Sequence, residues 1–299
     1  MKNIVTSNLL NSKNTLYIEW EVTQKCNYRC SYCSAYDILG KNEIPWNKKK
    51  YILDELNKSK YNILLYLLGG EPTISKDYFK ILDYIDFLNK KNNYQKFKCY
   101  ISTNFSQNEV FYKNHPSYKT ELIHWLSLHP EYLNLNEIEN KINILLQKDI
   151  KFIFAPMIKK EFIDSAKKLY NLAKKYNLDY YPQIIVIEKD GHYWASDEKF
   201  YKKNLFLFEN EKLEIKENNI FIPYHQYFLN IELQNKKNYD CWNSYFEIYW
   251  DGSITSRCRN INYKFLPINF FKEFKITKLK CNRDFCDDYT LIHMYKKET

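Results

Sequence analysis

Three cysteines near the start of the chain have the spacing of a metal-binding loop. Cys26, Cys30 and Cys33 form a C-x3-C-x2-C pattern. Three thiolates this close together can bind three irons of one four-iron cluster and leave the fourth iron open to an exogenous ligand. A structural zinc site would need a fourth ligand nearby, and the nearest histidines, His115 and His124, are about eighty and ninety residues further on. The spacing therefore favours an iron–sulfur cluster over zinc.

Two adjacent glycines follow the second apolar run of the chain. The sequence contains five glycines, and Gly69 and Gly70 stand directly after the run at residues 63–68 and before Glu71 and Pro72. Because glycine has no side chain, the backbone at such a strand end can approach a ligand closely. Proline then fixes the direction in which the chain leaves. A plain turn between a strand and a helix would not need two glycines from a chain with so few.

The third predicted strand ends in a second polar segment. Alternation of side chains along a strand places Lys98, Tyr100, Ser102 and Asn104 on one face. Cys99 then points towards the helix layer, where we expect a small buried thiol that binds nothing. Ser102 and Asn104 are therefore candidate ligand contacts at the end of this strand.

The fourth predicted strand also ends in residues that could do chemistry. Ser127 and His129 share a face at the end of the strand where the ligand-binding loops are expected. His129 could contact a substrate or act as an acid or a base, because its usual pKa is close to neutrality. We interpret Glu131, two residues further on, as a cap of the next loop.

Two carboxylates on the first predicted strand need an explanation. Glu19 and Glu21 alternate with Leu16, Ile18 and other apolar residues, so that both glutamates lie on one face. Unpaired carboxylates are expensive to bury. A barrel interior that opens onto a polar catalytic site would explain them. A first strand at the edge of the sheet with a wet face would explain them equally well.

Short apolar runs alternate with longer amphipathic stretches as far as residue 188. The runs predict six strands, at Leu16–Val22, Ile63–Leu68, Phe97–Thr103, Leu122–Leu128, Phe152–Met157 and Tyr181–Ile187. Helical periodicity predicts helices at Lys50–Lys58, Tyr78–Lys90, Leu135–Gln147 and Lys160–Tyr176. This alternation favours a parallel sheet with right-handed crossovers. Six units are too few for a closed eight-stranded barrel, so we predict an α/β fold with a partial (β/α)6 barrel of the TIM type.

Four more cysteines lie together near the end of the chain. Cys241 and Cys258 bracket a predicted hairpin, and Cys281 and Cys286 form a C-x4-C pair. Four thiolates are the full set for a closed four-iron cluster or for a structural zinc ion, and thiolate ligands alone do not separate the two.

These features divide the chain into three predicted parts. Residues 1–188 form the partial barrel, and residues 189–240 form a connecting region without a recognisable motif. Residues 241–299 form a small domain of a β-hairpin and a helix that holds the later cysteines. Within it, the alternating residues 246–255 with an Asp-Gly turn are typical of a hairpin.

Composition excludes several classes of protein. The 299 residues are 45% hydrophobic, which is enough for a sizeable core, and no apolar run is long enough to span a membrane. Eight cysteines without a signal peptide indicate metal binding in a reducing compartment, so we expect a soluble cytoplasmic protein. The net charge of +9 comes from scattered lysines, which disfavours nucleic acid as a partner.

The first cysteine loop and the Gly69–Pro72 segment resemble the motifs of the radical S-adenosylmethionine (SAM) superfamily. The resemblance includes Tyr32, an aromatic residue directly before the third cysteine. It implies that the open iron chelates the amino and carboxylate groups of SAM, and that the glycine segment holds the amino group. The further SAM contacts that it implies are Ser102, Asn104, Ser127 and Met157.

The later cysteines resemble the twitch domain, the shorter relative of the SPASM extension found in this superfamily. The resemblance implies that Cys241, Cys258, Cys281 and Cys286 hold one auxiliary 4Fe–4S cluster, with zinc as the alternative. The chain departs from the family pattern at residues 287–288, because two aspartates stand where a further cysteine often follows.

Membership of this superfamily would imply a radical enzyme. An electron from a donor such as flavodoxin or ferredoxin would cleave SAM to methionine and a 5′-deoxyadenosyl radical, which abstracts hydrogen from the substrate. His129, Glu19 and Glu21 are the candidate catalytic residues. An auxiliary cluster would suit an oxidative outcome, such as dehydrogenation or cross-linking.

The substrate is open at this point. The short segment before Leu16 leaves no room for a fused leader-peptide domain, which favours a small molecule such as a sugar or a nucleotide. A peptide maturase that forms a cross-link or another oxidative modification is the alternative. From a different class, the chain could be a non-catalytic zinc or iron–sulfur protein. A glycyl-radical activase is disfavoured, because such relatives generally lack the later cysteine set.

Overall fold

The computed structural model of the chain describes most of its residues. The described residues are 14–33, 39–40, 42–94, 96–189, 192–208, 214–217, 220–223, 229, 240–242, 244–256 and 260–280. No helix among them is long and apolar enough to cross a membrane.

The strands and helices follow each other in an α/β order. The strands are β1 (Thr15–Thr23), β2 (Asn62–Gly69), β3 (Phe97–Thr103), β4 (Leu122–Leu128), β5 (Phe152–Ile158), β6 (Gln183–Ile184), β7 (Val186–Lys189), β8 (His192–Ala195), β9 (Glu214–Glu217), β10 (Ile220–Pro223), β11 (Asp240–Trp242), β12 (Tyr245–Ile248), β13 (Ile254–Ser256), β14 (Ile261–Tyr263) and β15 (Lys278–Lys280). The α-helices are α1 (Trp46–Asn57), α2 (Tyr78–Asn92), α3 (Glu109–Lys113), α4 (Leu135–Gln147), α5 (Ile163–Tyr176), α6 (Glu198–Lys203) and α7 (Phe270–Glu273). Single 3-10 turns lie at Pro72–Ile74, Pro130–Tyr132, Lys160–Phe162 and Leu205–Phe208.

One large sheet organises the fold. Among the residues that the structure describes, its nine strands run in the order β14-β13-β12-β1-β2-β3-β4-β5-β6. The pairs from β1 to β6 are parallel and follow the order of the chain. In the described part of the chain, β14 and β6 are its two outer strands and do not pair with each other, so the sheet is open. The predicted partial barrel is confirmed.

The observed element bounds differ from the predicted ones mainly at helix starts and in the sixth strand. Helix α1 begins at Trp46, after Pro45, four residues before the predicted start. The sixth predicted strand is divided into β6 and β7, and between them the backbone N–H of Ile185 donates to the hydroxyl of Tyr201 (3.0 Å). A side chain from another element therefore takes a hydrogen bond that a continuous strand would have given to a neighbouring strand.

Strand β1 lies inside the sheet. It pairs in parallel with β2 on one side and with β12 on the other, where Glu19 is in register with Glu247. The interpretation of β1 as a wet edge strand is therefore wrong, because the hairpin from the end of the chain covers that edge.

The two faces of the sheet differ in burial. The face that packs against the helices carries fully buried apolar side chains, among them Ile18, Trp20 and Cys99. The opposite face is half-exposed, and its members alternate with the buried set along β1, β3 and β4. Period-two alternation thus divides each strand between a dry core and the interior of the open barrel. Cys99 has the buried position expected for it.

The C-terminal hairpin is anchored by aromatic packing. Strands β12 and β13 form the predicted antiparallel hairpin, and its turn contains Gly252 with a φ of +86°. Phe246 on β12 is fully buried, and its ring meets the rings of Phe271 and Phe274 edge to face, at 5.3 and 4.9 Å between centroids. Such pairs add to the stabilisation from burial. The hairpin is thereby part of the main core.

Replacing Phe246 by alanine should destabilise the whole sheet. A buried phenylalanine-to-alanine change costs about 3–5 kcal/mol, because it removes burial and leaves a cavity. Anaerobic urea unfolding, followed by circular dichroism, measures this loss. Ile268→Ala is the control, because Ile268 is 73% exposed and its loss should change the free energy of unfolding by less than about 0.5 kcal/mol. A small effect for Phe246→Ala would show that the hairpin is dispensable to the barrel.

Candidate active site

The three N-terminal cysteines lie on the loop that leaves the carboxyl end of β1. Cys30 is buried, and Cys26 and Cys33 are half-buried. The backbone N–H of Cys33 donates to the carbonyl oxygen of Cys30 (3.1 Å), which forms a tight turn between the second and third thiols. The backbone N–H of Tyr28 donates to the sulfur of Cys26 (3.4 Å). We call residues 26–33 the cysteine loop.

Backbone hydrogen bonds join the start of this loop to the glycine segment. The N–H of Gly70 donates to the carbonyl oxygen of Thr23 (2.9 Å), and the N–H of Glu71 donates to that of Lys25 (2.7 Å). A Cβ atom on Gly69 would lie 2.3 Å from the Thr23 oxygen, and one on Gly70 would lie 2.1 Å from the Lys25 oxygen. Both distances are far below van der Waals contact. The two glycines are therefore needed because the loop backbone crosses them, a reason that the sequence alone does not give.

The side chain of Glu71 ties this crossing to β3. The carboxylate is fully buried and accepts hydrogen bonds from Thr73 through its N–H (3.0 Å) and its hydroxyl (2.6 Å). It also accepts from the hydroxyl of Thr103 (2.8 Å) and from the N–H of Asn104 (2.5 Å). Burial raises the pKa of Glu71 above its usual value, and these four hydrogen bonds oppose that rise. The side chain of Glu71 thus holds protein groups together.

Asn104 links Glu71 and the end of β3 to the cysteine loop. Its side-chain amide donates to the side-chain oxygen of Asn27 (2.9 Å) and approaches the sulfur of Cys26 (3.9 Å). The end of β3 therefore contacts the cysteine loop directly.

A second clamp holds the opposite side of the loop. Glu131 accepts the backbone N–H of Ser31 (2.9 Å) and the hydroxyl of the same residue, and it pairs with Lys159 at 2.9 Å. The rings of Tyr28 and Tyr132 stack at 4.0 Å, and the hydroxyl of Tyr132 accepts the N–H of Arg29 (2.9 Å).

These contacts bring the carboxyl ends of β4 and β5 against the cysteine loop. The role of Glu131 differs from the local cap expected for it, because its partner Ser31 lies 100 residues earlier in the chain. The clamp formed by Glu131 and Tyr132 leaves no local signal in the sequence, and only the tertiary structure shows it.

His129 faces a cysteine of the loop. Its Nδ1 lies 3.3 Å from the sulfur of Cys30 and 3.0 Å from the hydroxyl oxygen of Tyr32. The imidazole ring is nearly parallel to the ring of Tyr32, with 6.0 Å between centroids, and meets the ring of Tyr28 edge to face. Burial lowers the pKa of His129 to about 4, and the charge of Glu131 opposes this shift. The imidazole is therefore neutral near pH 7.

Ionisation of Cys26 and Cys30 is unfavourable, because burial and the neighbouring negative charges raise their pKa values. Burial raises the pKa of Cys30 to about 12, and the charges of Glu131, Cys33 and Cys26 add to the rise. Burial also raises the pKa of Cys26. A bound cationic centre would relieve this repulsion, because thiolates are the form that binds metals.

The donor set fits an iron–sulfur cluster better than a single ion. Among the residues that the structure describes, no group of three or more His, Cys, Asp or Glu side chains is arranged to hold one metal ion. Cysteines that bind different irons of a cluster do not need to converge on one point. Three thiolates with no other charged ligand among them match that requirement.

The half-exposed face of the sheet carries acidic and aromatic side chains beside this loop. The hydroxyl of Tyr245 contacts the carboxylates of both Glu19 (2.9 Å) and Glu247 (3.0 Å) across the pair of strands β1 and β12. Glu247 also accepts hydrogen bonds from the hydroxyls of Tyr249 (2.7 Å) and Thr255 (3.1 Å). Glu247 was not among the predicted site residues, although it shares the alternating pattern of its strand.

Glu21 is a carboxyl group of this face whose pKa is strongly raised. Burial raises its pKa to about 7, and the charges of Glu247 and Asp251 add to the rise, while a hydrogen bond from the backbone of Trp250 opposes it. A carboxyl group with such a pKa can exchange a proton near neutral pH, as a general acid or base must.

The remaining predicted contacts lie along the same face. Ser102 on β3, Ser127 on β4 and Met157 on β5 are all half-exposed at the carboxyl ends of their strands. Ser102 is in register with Trp125, and Ser127 with Ala155.

The later cysteines fall largely outside the described residues. Cys258, Cys281 and Cys286 are not described, and Cys241 is described only as a backbone position in β11, which pairs antiparallel with β15. The predicted auxiliary site therefore stays a prediction from the sequence.

Comparison with known proteins identifies the family. Residues 20–173, about half of the chain, match the model of the radical SAM superfamily, and the chain belongs to that superfamily. Its members bind SAM and a 4Fe–4S cluster and catalyse radical reactions that depend on SAM.

Two curated relatives show different extents of similarity. The chain is 25% identical to the cysteine-type anaerobic sulfatase-maturating enzyme of Clostridium novyi over 266 residues, which are 78% of this chain and 70% of the relative. It is 34% identical to the S-adenosylmethionine-dependent nucleotide dehydratase of Selenomonas ruminantium over 67 residues, which are 22% of this chain and 24% of the relative. The chain thus spans only about a quarter of the dehydratase.

Solved structures share the fold. The structure of anSMEcpe with bound AdoMet and a peptide superposes with a TM-score of 0.54 at 17% identity, covering 87% of this chain and 78% of the other. The structure of the same protein with AdoMet alone gives a TM-score of 0.54 at 18% identity, covering 87% and 79%.

Adding a methyl group at Gly70 should displace the cysteine loop. The Cβ of Gly70→Ala would collide with the Lys25 backbone, and overpacking of this kind costs about 1–3 kcal/mol. We expect less iron bound per chain after anaerobic reconstitution, measured by elemental analysis and by absorption near 400 nm. Gly40→Ala is the matched control, because its Cβ would meet only the end of the Gln24 side chain, which can move away. Equal iron contents in the two variants would contradict the conclusion that the loop backbone passes too close to Gly70 for a side chain.

Removing the Glu21 carboxyl should change the pH dependence of stability. Because the folded pKa of about 7 exceeds the usual 4.5, only the unfolded chain loses this proton between those pH values, so rising pH destabilises the wild-type protein there. After allowance for solvent screening, the effect is on the order of 1–2 kcal/mol. Glu21→Gln should therefore unfold at higher urea than wild type at pH 8 and show a smaller difference at pH 5. A difference independent of pH would refute the raised pKa.

Proposed function

We propose that the chain is a radical SAM enzyme that modifies a side chain of a peptide or protein substrate. The observation that carries the catalytic part is the convergence of the cysteine loop, the glycine segment at 69–72 and His129 at the carboxyl ends of β1, β2 and β4. In α/β sheets and barrels, this end of the strands is where ligands bind. The hydrogen bonds described above fix all three segments relative to each other.

In this proposal, the cysteine loop holds the catalytic cluster. Cys26, Cys30 and Cys33 would bind three irons, and the backbone of the glycine segment, beside the loop, would face the amino group of SAM. When bound, the cofactor would supply hydrogen-atom abstraction, and the protein would supply its binding and orientation. The residues that would contact the rest of SAM are Ser102, Asn104, Ser127 and Met157.

The half-exposed face of the sheet would receive the substrate. Glu21 is suited to accept a proton from the oxidised substrate, because its pKa of about 7 leaves much of it ionised near neutral pH. Glu19 lies two residues before it on the same face and is held by Tyr245. Both are proposed as catalytic or orienting groups of the interior.

The class of substrate is inferred from the extent of similarity. Sequence features favour a small molecule, and the short match to the nucleotide dehydratase agrees with that choice. The match to the sulfatase-maturating enzyme, however, covers more than two thirds of both chains, and anSMEcpe has been solved with a bound peptide. A match over most of the chain includes the substrate-binding face as well as the cofactor motifs, so we favour a peptide substrate.

The later cysteines would hold an auxiliary cluster. Cys241, Cys258, Cys281 and Cys286 supply the four thiolates that a closed 4Fe–4S cluster needs. A cluster held by these cysteines would supply an acceptor for one electron, which an oxidative reaction of the substrate requires. A reducing compartment such as the cytoplasm and an electron donor such as flavodoxin or ferredoxin complete the proposal.

Anaerobic reconstitution tests the two metal sites together. Wild type should bind about eight irons per chain and the triple variant Cys26/Cys30/Cys33→Ala about four. Only wild type should release 5′-deoxyadenosine from SAM under dithionite. If both proteins retain zinc and wild type still releases deoxyadenosine, the later cysteines hold a zinc ion and not an auxiliary cluster. No deoxyadenosine from a fully loaded wild type would refute the enzyme and favour a metal-binding protein.

The substrate class needs a separate measurement. Deoxyadenosine release by wild type is compared after addition of a pool of synthetic peptides that contain serine and cysteine, or of a mixture of nucleotides and sugars. We expect the peptide pool to stimulate release and to yield products of changed mass. Stimulation by the small molecules alone would reject the peptide proposal while leaving the radical enzyme intact.

A further inference from the structure

His129 lies where it can affect the cluster through one of its ligands. It follows the last residue of β4, and its backbone carbonyl accepts the N–H of Tyr132 (3.0 Å), so the 3-10 turn at Pro130–Tyr132 fixes its backbone. Its ring is held on one side by Tyr32 and at its edge by Tyr28. The imidazole is thus held with Nδ1 towards the sulfur of Cys30 at 3.3 Å.

The direction of this hydrogen bond follows from the state of the cysteine. A free Cys30 thiol can donate its proton to Nδ1. A metal-bound cysteine is a thiolate, which has no proton and can only accept. The short contact is then favourable only when Nδ1 carries the hydrogen and donates it to sulfur, so ligation selects the tautomer of His129.

Tyr32 supplies a second donor to the same sulfur. Its hydroxyl oxygen lies 3.0 Å from Nδ1 of His129, the same atom that faces the Cys30 sulfur, and is close enough to Cys30 to influence it. When the sulfur is a thiolate and Nδ1 of His129 carries its hydrogen, the phenol O–H has the sulfur as its nearby acceptor, because Nδ1 can then not accept a hydrogen bond. Cys30 would then receive two side-chain hydrogen bonds, whereas Cys26 receives one backbone N–H, from Tyr28, and a longer contact from Asn104.

Hydrogen bonds to the sulfurs of a cluster favour its reduced form. Reduction adds one electron and makes the cluster more negative, and donors directed at its sulfurs stabilise that charge. Each donor removed should therefore make reduction harder and lower the reduction potential.

We propose that His129 and Tyr32 are positioning residues that raise the reduction potential of the catalytic cluster by donating hydrogen bonds to the Cys30 thiolate. This inference depends on the function proposed above, because it needs the cluster on the cysteine loop. It gives His129 a role different from the substrate acid or base expected from its place at the end of β4. The ring nitrogen nearest the loop is directed at a cluster ligand.

A redox titration with dithionite, followed by electron paramagnetic resonance in the absence of SAM, tests this. The relevant signal is the one that is missing from the triple variant Cys26/Cys30/Cys33→Ala. His129→Phe keeps a flat ring between the two tyrosines but has no N–H, and Tyr32→Phe removes only the hydroxyl. Both variants should titrate at a more negative potential than wild type. The double variant should be at least as negative as the lower of the two.

Two further variants separate tuning from general disturbance. His129→Gln retains an N–H donor, and its potential should lie between those of wild type and His129→Phe. Tyr176→Phe is the control for loss of a tyrosine hydroxyl, because Tyr176 bonds to Glu139 on the outer surface, and its potential should equal that of wild type.

The possible failures are distinguishable. If wild type shows no signal that depends on the three cysteines, the proposed function itself is refuted. If the signal is present and both His129→Phe and Tyr32→Phe keep the wild-type potential, only this inference is refuted. Loss of the cluster in both variants would also overturn it, because the two residues would then be required for assembly and would not tune the potential.

Discussion

The crossing of the cysteine loop over the glycine segment is the constraint on which the rest of the site depends. Two backbone hydrogen bonds join residues 23–25 to Gly70 and Glu71. The two backbone segments are so close that no side chain fits at Gly69 or Gly70. The buried carboxylate of Glu71 extends this join to the end of β3 through four hydrogen bonds. A loop of eight residues without regular structure is thereby given a fixed position. A cluster needs such a position, since its ligands must be held before the metal centre can form.

The second half of the site is held from the other side by β4 and β5. Glu131 and Lys159 hydrogen-bond to the backbone and side chain of Ser31, while Tyr132 stacks on Tyr28. The loop is consequently clamped between two sets of strand ends, one mainly through backbone groups and one mainly through side chains. The first set depends on the absence of side chains at the glycines, whereas the second depends on particular side chains scattered along the chain. This difference explains why the first set leaves a readable motif and the second does not.

The barrel interior and the cysteine loop form two parts of one site, and these parts differ in polarity and charge. The cysteine loop and His129 form a buried, aromatic environment in which burial lowers the pKa of the imidazole, because it disfavours the charged form. Along β1 and β12, carboxylates held by tyrosine hydroxyls form an acidic surface in which Glu21 retains a proton up to about pH 7. The hairpin from the end of the chain supplies half of that surface through Glu247. The proposed radical step and the proposed proton transfer would therefore take place on neighbouring but separate parts of the sheet.

The sequence by itself determined the class of fold, the family motifs and most strand positions. These properties are local: periodicity marks β3 and β4 with the observed bounds, and the cysteine spacing and the two glycines are fixed over a few residues. Only the tertiary structure decided that β12 covers the edge of β1, that the glycines are crossed by the loop backbone, and that Glu131 and His129 face Ser31 and Cys30. Each of these contacts joins residues far apart in the chain, 100 positions apart for Glu131 and Ser31. Their geometry depends on how the strand ends meet, which no spacing within one segment encodes.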